Sequence, residues 1–522
     1  MIALILKRFC QACHRALKDE RGGMGMFMAV GAVAFVGIAG ISVDAMRGYL
    51  VQSRLSSALD AAGLAGARVM YSDTRDADIQ MYFDANFPDG YLGATVTGPI
   101  FTVDPSNEVI TLTAEATIGT TLTQVLGYDN LTVAATSEIT RQTELLDVVL
   151  AIDMSGSMNW DIDGNNTSVV ADRRITLATN AAKDLVDILY GTDDLAPLLK
   201  IGVVPWSGKV NIMNPNIPFN AGATTTVSVP SFTNPITGLA QSEVYVPNNA
   251  PVPLLSTPPA AEPFDDDNGN GVRNFGEDYT DVNGNGHYDV EWQGCVFARY
   301  LSGGVGNDAD MMVGPAIGVG GKDWPAWEVI DWQGEPVAGS SPKCPLASGG
   351  YECTSCLSHG ITPLQTTKAA ITGAINDLTS PGGSTEMLGG LAWAWRTLVP
   401  AAPFTEADPD PEGQRTQAII LLTDGEYTGW SGDGYKTQLG FNTAAQTLAN
   451  QRLRDLSTVI KESGVVIYTI QFAADSPTLE QLMKDVASGP DSPFYNKAPT
   501  AAELQEVFKE VANDLSQLRV SM

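Results

Sequence analysis

Histidine is nearly absent from this chain: three residues in 522, His14, His287 and His359, leave little material for imidazole acid–base chemistry. Positive charge is scarce as well. Thirty Lys and Arg face sixty Asp and Glu, a formal net charge of −30. A surface that negative repels phosphate backbones, which excludes nucleic acid as a partner for the bulk of the chain. It suits a domain outside the cytoplasm, or one that handles cations. There is no G-x-S-x-G elbow, no Walker loop and no paired-histidine zinc motif, so Asp153 and Ser155 with His287 or His359 lack the frame of a hydrolase. The expectation is a protein that is not an enzyme. Aromatic residues make up only 8%, but the hydrophobic share of 44% is enough for a sizeable core, and the length implies two to four domains.

Long uncharged runs are also rare, and the one at residues 22–43 stands out. Lys7, Arg8, Arg15, Lys18 and Arg21 precede it, against Asp19 and Glu20, and Asp44 ends it. Twenty-two residues at about 1.5 Å each cover a hydrocarbon core of about 30 Å. The flanking charges predict a single-pass anchor in the cytoplasmic (inner) membrane, with the N-terminus in the cytoplasm and the bulk in the periplasm. The competing reading is a cleaved signal peptide with Gly37-Ile38-Ala39 as its site, but the apolar part and its basic lead are both long for one. Cys10-Gln-Ala-Cys13-His14 spells a c-type haem attachment signature; a segment kept in the cytoplasm makes it a coincidence or a reactive thiol pair.

Beyond Asp44 a proline-free stretch predicts that the same helix continues, with Met46, Leu50, Leu55, Leu59, Ala62 and Leu64 as its apolar stripe. That face packs either on its own domain or on a neighbouring subunit. A short helix over 74–87 and three alternating β segments complete a small α+β module.

The residues that carry chemistry begin at Leu145. The apolar run to Ile152 reads as a strand buried on both faces of a parallel sheet. It ends in Asp153-Met154-Ser155-Gly156-Ser157, a carboxylate and two hydroxyls spaced to converge as hard oxygen ligands for Mg²⁺ or Mn²⁺. Helices and buried strands then alternate: a helix over 173–190, a strand over 198–207, a helix over 364–378, another ending in LAWAWRTLV, and the strand TQAIILL before Thr423, Asp424 and Glu426. A helix over 444–463, a strand over 465–472, a helix over 478–487, a short strand over 494–496 and a helix over 501–518 close the series. This predicts an α/β fold, a doubly wound, mostly parallel sheet of Rossmann-like type, interrupted by a long insertion.

These residues resemble the von Willebrand factor A (vWA) domain, whose metal-ion-dependent adhesion site combines D-x-S-x-S with a threonine and an aspartate from two further loops. Asp153, Ser155 and Ser157 match the first part, Thr385 the second, with Ser384 adjacent, and Asp424 the third. The resemblance implies a bound Mg²⁺ or Mn²⁺ whose open position is completed by an Asp or Glu of a protein partner. The basic tail, the anchor and VDAMRGYLVQSRLSSALDAAGLAGA resemble the TadG-like proteins of Tad/Flp pilus loci, in which a TadE/G-like segment precedes a vWA domain in the periplasm. Pilins of that system are cleaved five residues ahead of a glutamate. No such Glu follows Gly22 or Gly23, so the chain does not resemble a processed subunit.

The expected organisation is therefore a cytoplasmic tail (1–21), a transmembrane helix (22–43), a TadE/G-like helix with its small module (44–143), a first vWA part (144–206), an insertion (207–363) and a second vWA part (364–522). The insertion, rich in Pro, Gly, Asn and Thr, is expected on the surface and free to vary. Within it Asp266, Asn268, Asn270, Gly271 and Glu277 fill a calcium-loop pattern. Asp281, Asn283, Asn285 and Asp289 begin a second, whose twelfth position is Trp292 rather than Glu. The pair resembles the tandem NGNG calcium repeats of bacterial surface proteins and implies Ca²⁺; plain Asn-Gly turns are the alternative. Cys295, Cys344, Cys353 and Cys356 allow three disulfide pairings in an oxidising compartment. The expected function is metal-dependent protein binding in pilus assembly or surface adhesion; the alternative is a structural scaffold of an envelope complex that does not use the metal for binding.

Overall fold

The computed structural model describes residues 22–70, 74–104, 109–121, 123–140, 145–191, 194–196, 198–271, 273, 276–282, 288–299, 308–330, 335–337, 340–344, 351–352, 356–400, 403–407, 415–429, 433–435 and 443–518. They fall into two compact units that divide at Arg141 and Gln142.

The first unit is one long helix laid on a sheet. Helix α1 (Gly22–Arg68) runs unbroken for 47 residues, as a proline-free, Ala-rich sequence allows. Helix α2 (Arg75–Asn86) follows, then β1 (Ala94–Val103), β2 (Val109–Gly119) and β3 (Asn130–Thr140), an antiparallel sheet in that order. Period-two alternation in β2 buries Ile110, Leu112, Ala114, Ala116 and Ile118 in one cluster with Val51, Leu55, Ala58, Leu59 and Ala62 of α1. Gly66 brings the helices together: a Cβ there would stand 2.6 Å from Ile79. The buried face of α1 is shifted from the stripe read in the sequence. Leu55, Leu59 and Ala62 lie in the core, but Met46, Leu50 and Leu64 point outward. The helix turns its Gly and Ala positions to the sheet because they permit the closest approach.

The start of this packed region is bolted by Asp44. Its carboxylate accepts from the backbone N–H and hydroxyl of both Thr121 and Thr123, at 2.6–3.2 Å. These bonds, led by the Thr121 hydroxyl, hold Asp44 far below the usual carboxylate range. Among the described residues no helix is long and apolar enough to cross a membrane. The expected anchor forms the first part of α1, where the side chains at 22–27, 29, 30, 33, 34 and 36 lie outside the described residues. Residues 1–21, with Cys10 and Cys13, lie outside them entirely.

The second unit is built on a six-stranded sheet. In chain order, β4 (Leu145–Asp153), α3 (Arg174–Tyr190) and β5 (Leu199–Trp206) come first. The insertion then contributes β6 (Thr225–Thr233), β7 (Ala240–Val246), β8 (Ala316–Val319), β9 (Lys322–Trp324), β10 (Glu335–Val337), β11 (Ser340–Cys344) and β12 (Tyr351–Glu352), which form the small sheets β6-β7, β8-β9 and β10-β11-β12. The sheet resumes with β13 (Thr362–Gln365), α4 (Lys368–Asn376), α5 (Met387–Leu398), β14 (Arg415–Thr423), α6 (Thr443–Glu462), β15 (Val466–Phe472), α7 (Pro477–Val486), β16 (Tyr495–Ala498) and α8 (Ala501–Leu518). The strand order is β13-β5-β4-β14-β15-β16, all parallel except β13. Helices α3, α4 and α8 pack on one face, α5, α6 and α7 on the other.

Two expectations are corrected here. The helix read from Leu364 begins only at Lys368, because Thr362–Gln365 is the edge strand antiparallel to β5. Pro363 is tolerated there since an edge strand can forgo a ladder donor. The insertion is not a loose surface loop either. Val252, Leu254, Trp292, Val296, Trp327 and Val329 are buried in one cluster with α5 and the central strands.

Candidate functional site

In this strand order the chain leaves β4 toward β5 on one side and β14 toward β15 on the other. The reversal opens a crevice at the carboxyl ends of β4 and β14, where ligands of open α/β sheets bind. Asp153 is the last residue of β4 and Thr423 the last of β14, and the parallel register Ile152↔Leu422 sets them side by side. The Thr423 hydroxyl donates to Asp153 Oδ2 at 2.7 Å, and the Ser155 N–H donates to Asp153 Oδ1 at 2.7 Å. Ser155 Oγ lies 3.1 Å from Ser157 Oγ, which donates to Asp424 Oδ1 at 2.7 Å across 267 residues of sequence.

The third segment, before α5, closes against the first. Gly382 N–H donates to Met154 O at 2.8 Å and Gly156 N–H to Gly383 O at 3.0 Å. Thr385 N–H donates to the Thr428 hydroxyl at 2.9 Å, and Thr428 N–H returns a bond to Thr385 O at 3.0 Å. The Thr385 and Ser157 hydroxyls both lie within 4.0 Å of where a Cβ on Gly425 would stand, so glycine there keeps the space between the loops open. Adjacent Ser384 turns elsewhere, donating to Asp433 Oδ2 at 2.6 Å.

The donor set is two carboxylates and hydroxyls, hard oxygen ligands throughout. Asp153 is fully buried; burial, then the charge of Asp424, pushes its pKa up to about 7. Burial raises Asp424 as well, against the pull of Arg174. Two buried acids with a single guanidinium leave a surplus of negative charge, which a cation would neutralise, so the residues present fit one. Among the described residues no group of three or more His, Cys, Asp and Glu side chains gathers into a metal cage. At this site the remaining donors are hydroxyls.

Arg174, absent from the sequence argument, donates through Nη1 to Asp424 Oδ2 at 2.8 Å. Its position after a long loop gave no signal. Behind Thr385 lies a second group that pattern could not find. Glu386 is raised well above its ordinary value by burial and by Asp433 and Asp310, and burial pushes Lys209 down to about 8.

In the insertion, Asp266 Oδ1 accepts from Gly269 and Asn270 N–H and Oδ2 from Gly271 N–H at 2.7 Å, bonds that hold its pKa below the usual value. Asn268 Oδ1 accepts from Asn270 N–H at 3.0 Å, and its Nδ2 donates to Glu277 Oε1 at 3.2 Å, linking the third and twelfth positions of the first calcium-loop pattern. Gly269 and Gly271 take φ of +73°, the left-handed turn that glycine permits. Asp281, the first residue of the second pattern, is described, Asn283 and Asn285 lie outside the described residues, and Asp289 is buried with its N–H on Glu262 Oε2 at 3.0 Å. Trp292 is a core residue whose Nε1 donates to Cys295 O at 2.9 Å. Cys295 and Cys356 form a disulfide, while the Cys344 side chain and Cys353 lie outside the described residues.

Residues 22–69 match the Tad family model, "Putative Flp pilus-assembly TadE/G-like". No curated protein matches the chain. Among solved structures, the pilus adhesin SpaC from Lactobacillus rhamnosus GG aligns over 82% of this chain and 35% of its own, at 11% identity and a TM-score of 0.34. The vWF domain of the type V pili tip protein Mfa5 from Porphyromonas gingivalis aligns over 73% of this chain and 97% of its own, at 10% identity and a TM-score of 0.33. Proximal thread matrix protein 1 from the mussel byssus, with a zinc-occupied MIDAS motif, aligns over 72% and 47%, at 14% identity and a TM-score of 0.29. The chain thus spans about a third of the length of the adhesin and about half that of the byssus protein.

Proposed function

We propose that this chain is a membrane-anchored protein of the bacterial envelope, with a vWA-type domain in the periplasm, that binds a protein partner through a divalent cation in Tad/Flp pilus assembly or surface adhesion. Asp153, Ser155, Ser157, Thr385 and Asp424 hold Mg²⁺ or Mn²⁺, and an Asp or Glu of the partner completes the coordination. It performs no turnover. The observation that carries this reading is the convergence of the loops after β4 and β14, with Ser157 Oγ on Asp424 Oδ1 at 2.7 Å, beside the segment that holds Thr385. The TadE/G-like match at 22–69 supports the pilus-related role. The uncharged start of α1 supports the anchor, since Phe35, Ile38 and Met28 stand more than 60% exposed among the described residues. In the insertion, Asp266, Asn268, Asn270 and Glu277 bind Ca²⁺ and brace the turn.

One observation favours the second reading, a scaffold whose metal site is idle: Arg174 already neutralises part of the charge on Asp424. The two are separated by a pull-down from envelope extracts with the full-length chain in Mn²⁺, in EDTA, and with Asp153→Ala. Partners captured in Mn²⁺ and lost in the other two arms support cation-dependent binding. Capture unchanged by EDTA and by Asp153→Ala refutes it.

A further inference from the structure

Arg174 is the one cationic side chain among the described residues that touches the proposed ion site, and the loops after Ser157 and after β14 fix it there. Its N–H donates to Trp160 O and its Nε to Asp161 O, both at 2.9 Å, which straps the loop after Ser157 to the start of α3. Its Nη1 reaches Asp424 Oδ2 at 2.8 Å, with both side chains nearly inaccessible. The guanidinium lies 5.9 Å from the ring of half-exposed Trp160. An ion pair so placed is screened little by solvent.

The charge balance around it has two consequences of opposite sign. Without metal, Asp153 and Asp424 have Arg174 as a partial counter-charge. With a divalent cation bound, the two carboxylates and the ion cancel and the guanidinium leaves one positive charge over. The same group therefore weakens the hold on the cation and strengthens the hold on an anion that binds to it. We propose that Arg174 is a specificity-determining positioning residue: paired with Asp424, it competes with the cation while the site is empty and leaves the loaded site net positive, so that it selects a carboxylate over a neutral ligand. This rests on the cation-binding reading above.

The test compares wild type, Arg174→Gln and Arg174→Lys as full-length protein. Mn²⁺ is titrated by water-proton relaxation, with Asp153→Ala subtracting cation held elsewhere, and acetate is then titrated into the Mn²⁺-loaded protein. Thermal denaturation is run with and without Mn²⁺. Arg174→Gln should melt lower than wild type without metal, gain more from Mn²⁺, bind Mn²⁺ at least threefold tighter and, once loaded, bind acetate at least threefold weaker. Arg174→Lys should restore much of the acetate affinity, which loss of the strap alone would not explain. A variant that binds Mn²⁺ no tighter, or acetate no weaker, overturns the role of Arg174 while leaving the cation site standing. A wild type whose Mn²⁺ binding equals that of Asp153→Ala removes the cation site itself, and this inference with it.

Discussion

Replacing Asp310 by Asn tests whether the insertion is a load-carrying part of the second unit. Asp310 Oδ1 accepts from Arg299 Nε at 3.3 Å and from Arg396 Nη2 at 2.9 Å, and both arginine side chains are fully buried. Burial and the neighbouring Arg396 press the Arg299 pKa down to about 9, which still leaves it charged at neutral pH. The substitution removes the carboxylate these two guanidinium groups share. Breaking a buried pair in this way typically costs about 3–5 kcal/mol. Carbonyls of Met312, Gly314 and Trp324 continue to accept from the arginines, and both lie over the Trp327 ring, at 4.1 and 5.2 Å, so the lower end, about 3 kcal/mol, is expected.

Urea unfolding followed by tryptophan fluorescence is a suitable assay, since Trp327 and Trp393 sit against these guanidinium groups. At a slope of about 3 kcal/mol per molar, that loss moves the midpoint down by about 1 M. Combining Asp310→Asn with Arg299→Met removes one of the stranded charges, so the double variant should be less destabilised than the two single effects added together. A midpoint shift below about 0.3 M for Asp310→Asn would refute the reasoning, because the pair would then not be desolvated.

Gly390→Ala should destabilise by about 1–3 kcal/mol in thermal denaturation, because a Cβ there would stand 2.4 Å from the buried Trp206 ring; an unchanged melting point would mean that the ring can move aside. Replacing Cys295 and Cys356 together by Ala opens a crosslink between residues 61 apart and should cost up to about 4 kcal/mol, read as a lower urea midpoint under non-reducing conditions. Lys209, buried beside Asp433, is held down near pH 8, so above that pH the unfolded chain binds a proton that the folded chain does not. Stability should therefore rise between pH 8 and about 10.5, by at most about 1.4 kcal/mol per unit, and Lys209→Met should flatten that slope in urea midpoints taken across the window.

Most of the sheet was legible because its central strands are buried on both faces and read as largely apolar runs. β14 and β15 bury Ala418 to Leu422 and Ile467 to Phe472 almost completely, and no other pattern competes. The residues after β4 and β14 were legible for a related reason: a doubly wound sheet places its strand ends together, so Asp153 and Asp424 meet once the topology is granted. β13 was not legible. Four residues with a proline carry too little periodicity, and only pairing with β5 makes them a strand. The insertion's core was hidden because its apolar residues, such as Val252, Trp292 and Trp327, come singly among Pro and Gly and acquire a common face only against α5. Arg174 and Asp433 act across 250 and 49 residues respectively, distances at which sequence spacing carries no register. In the first unit, burial along α1 was half legible: period alone does not say which of two apolar flanks meets the sheet, and the small residues decided it.

The place where the insertion enters follows from the single antiparallel strand. β5 ends at Trp206, paired with Asp153, and β13 begins at Thr362, paired with Val203, so both stems of the insertion leave from the carboxyl edge that carries the candidate site. A parallel strand in the position of β13 would have put the second stem at the opposite edge. The first stem is tied to the site at once. Gly434 N–H donates to Gly208 O at 2.7 Å, Ala298 N–H donates to Gly434 O, and a Cβ on Gly208 would stand 2.0 Å from Ser384 Oγ and 2.5 Å from Asp433 Oδ1. The segment around Asp433 thus touches the insertion on one side and the neighbour of Thr385 on the other. A side chain at Gly208 or a displaced Ala298 therefore acts directly on the segment that positions Thr385.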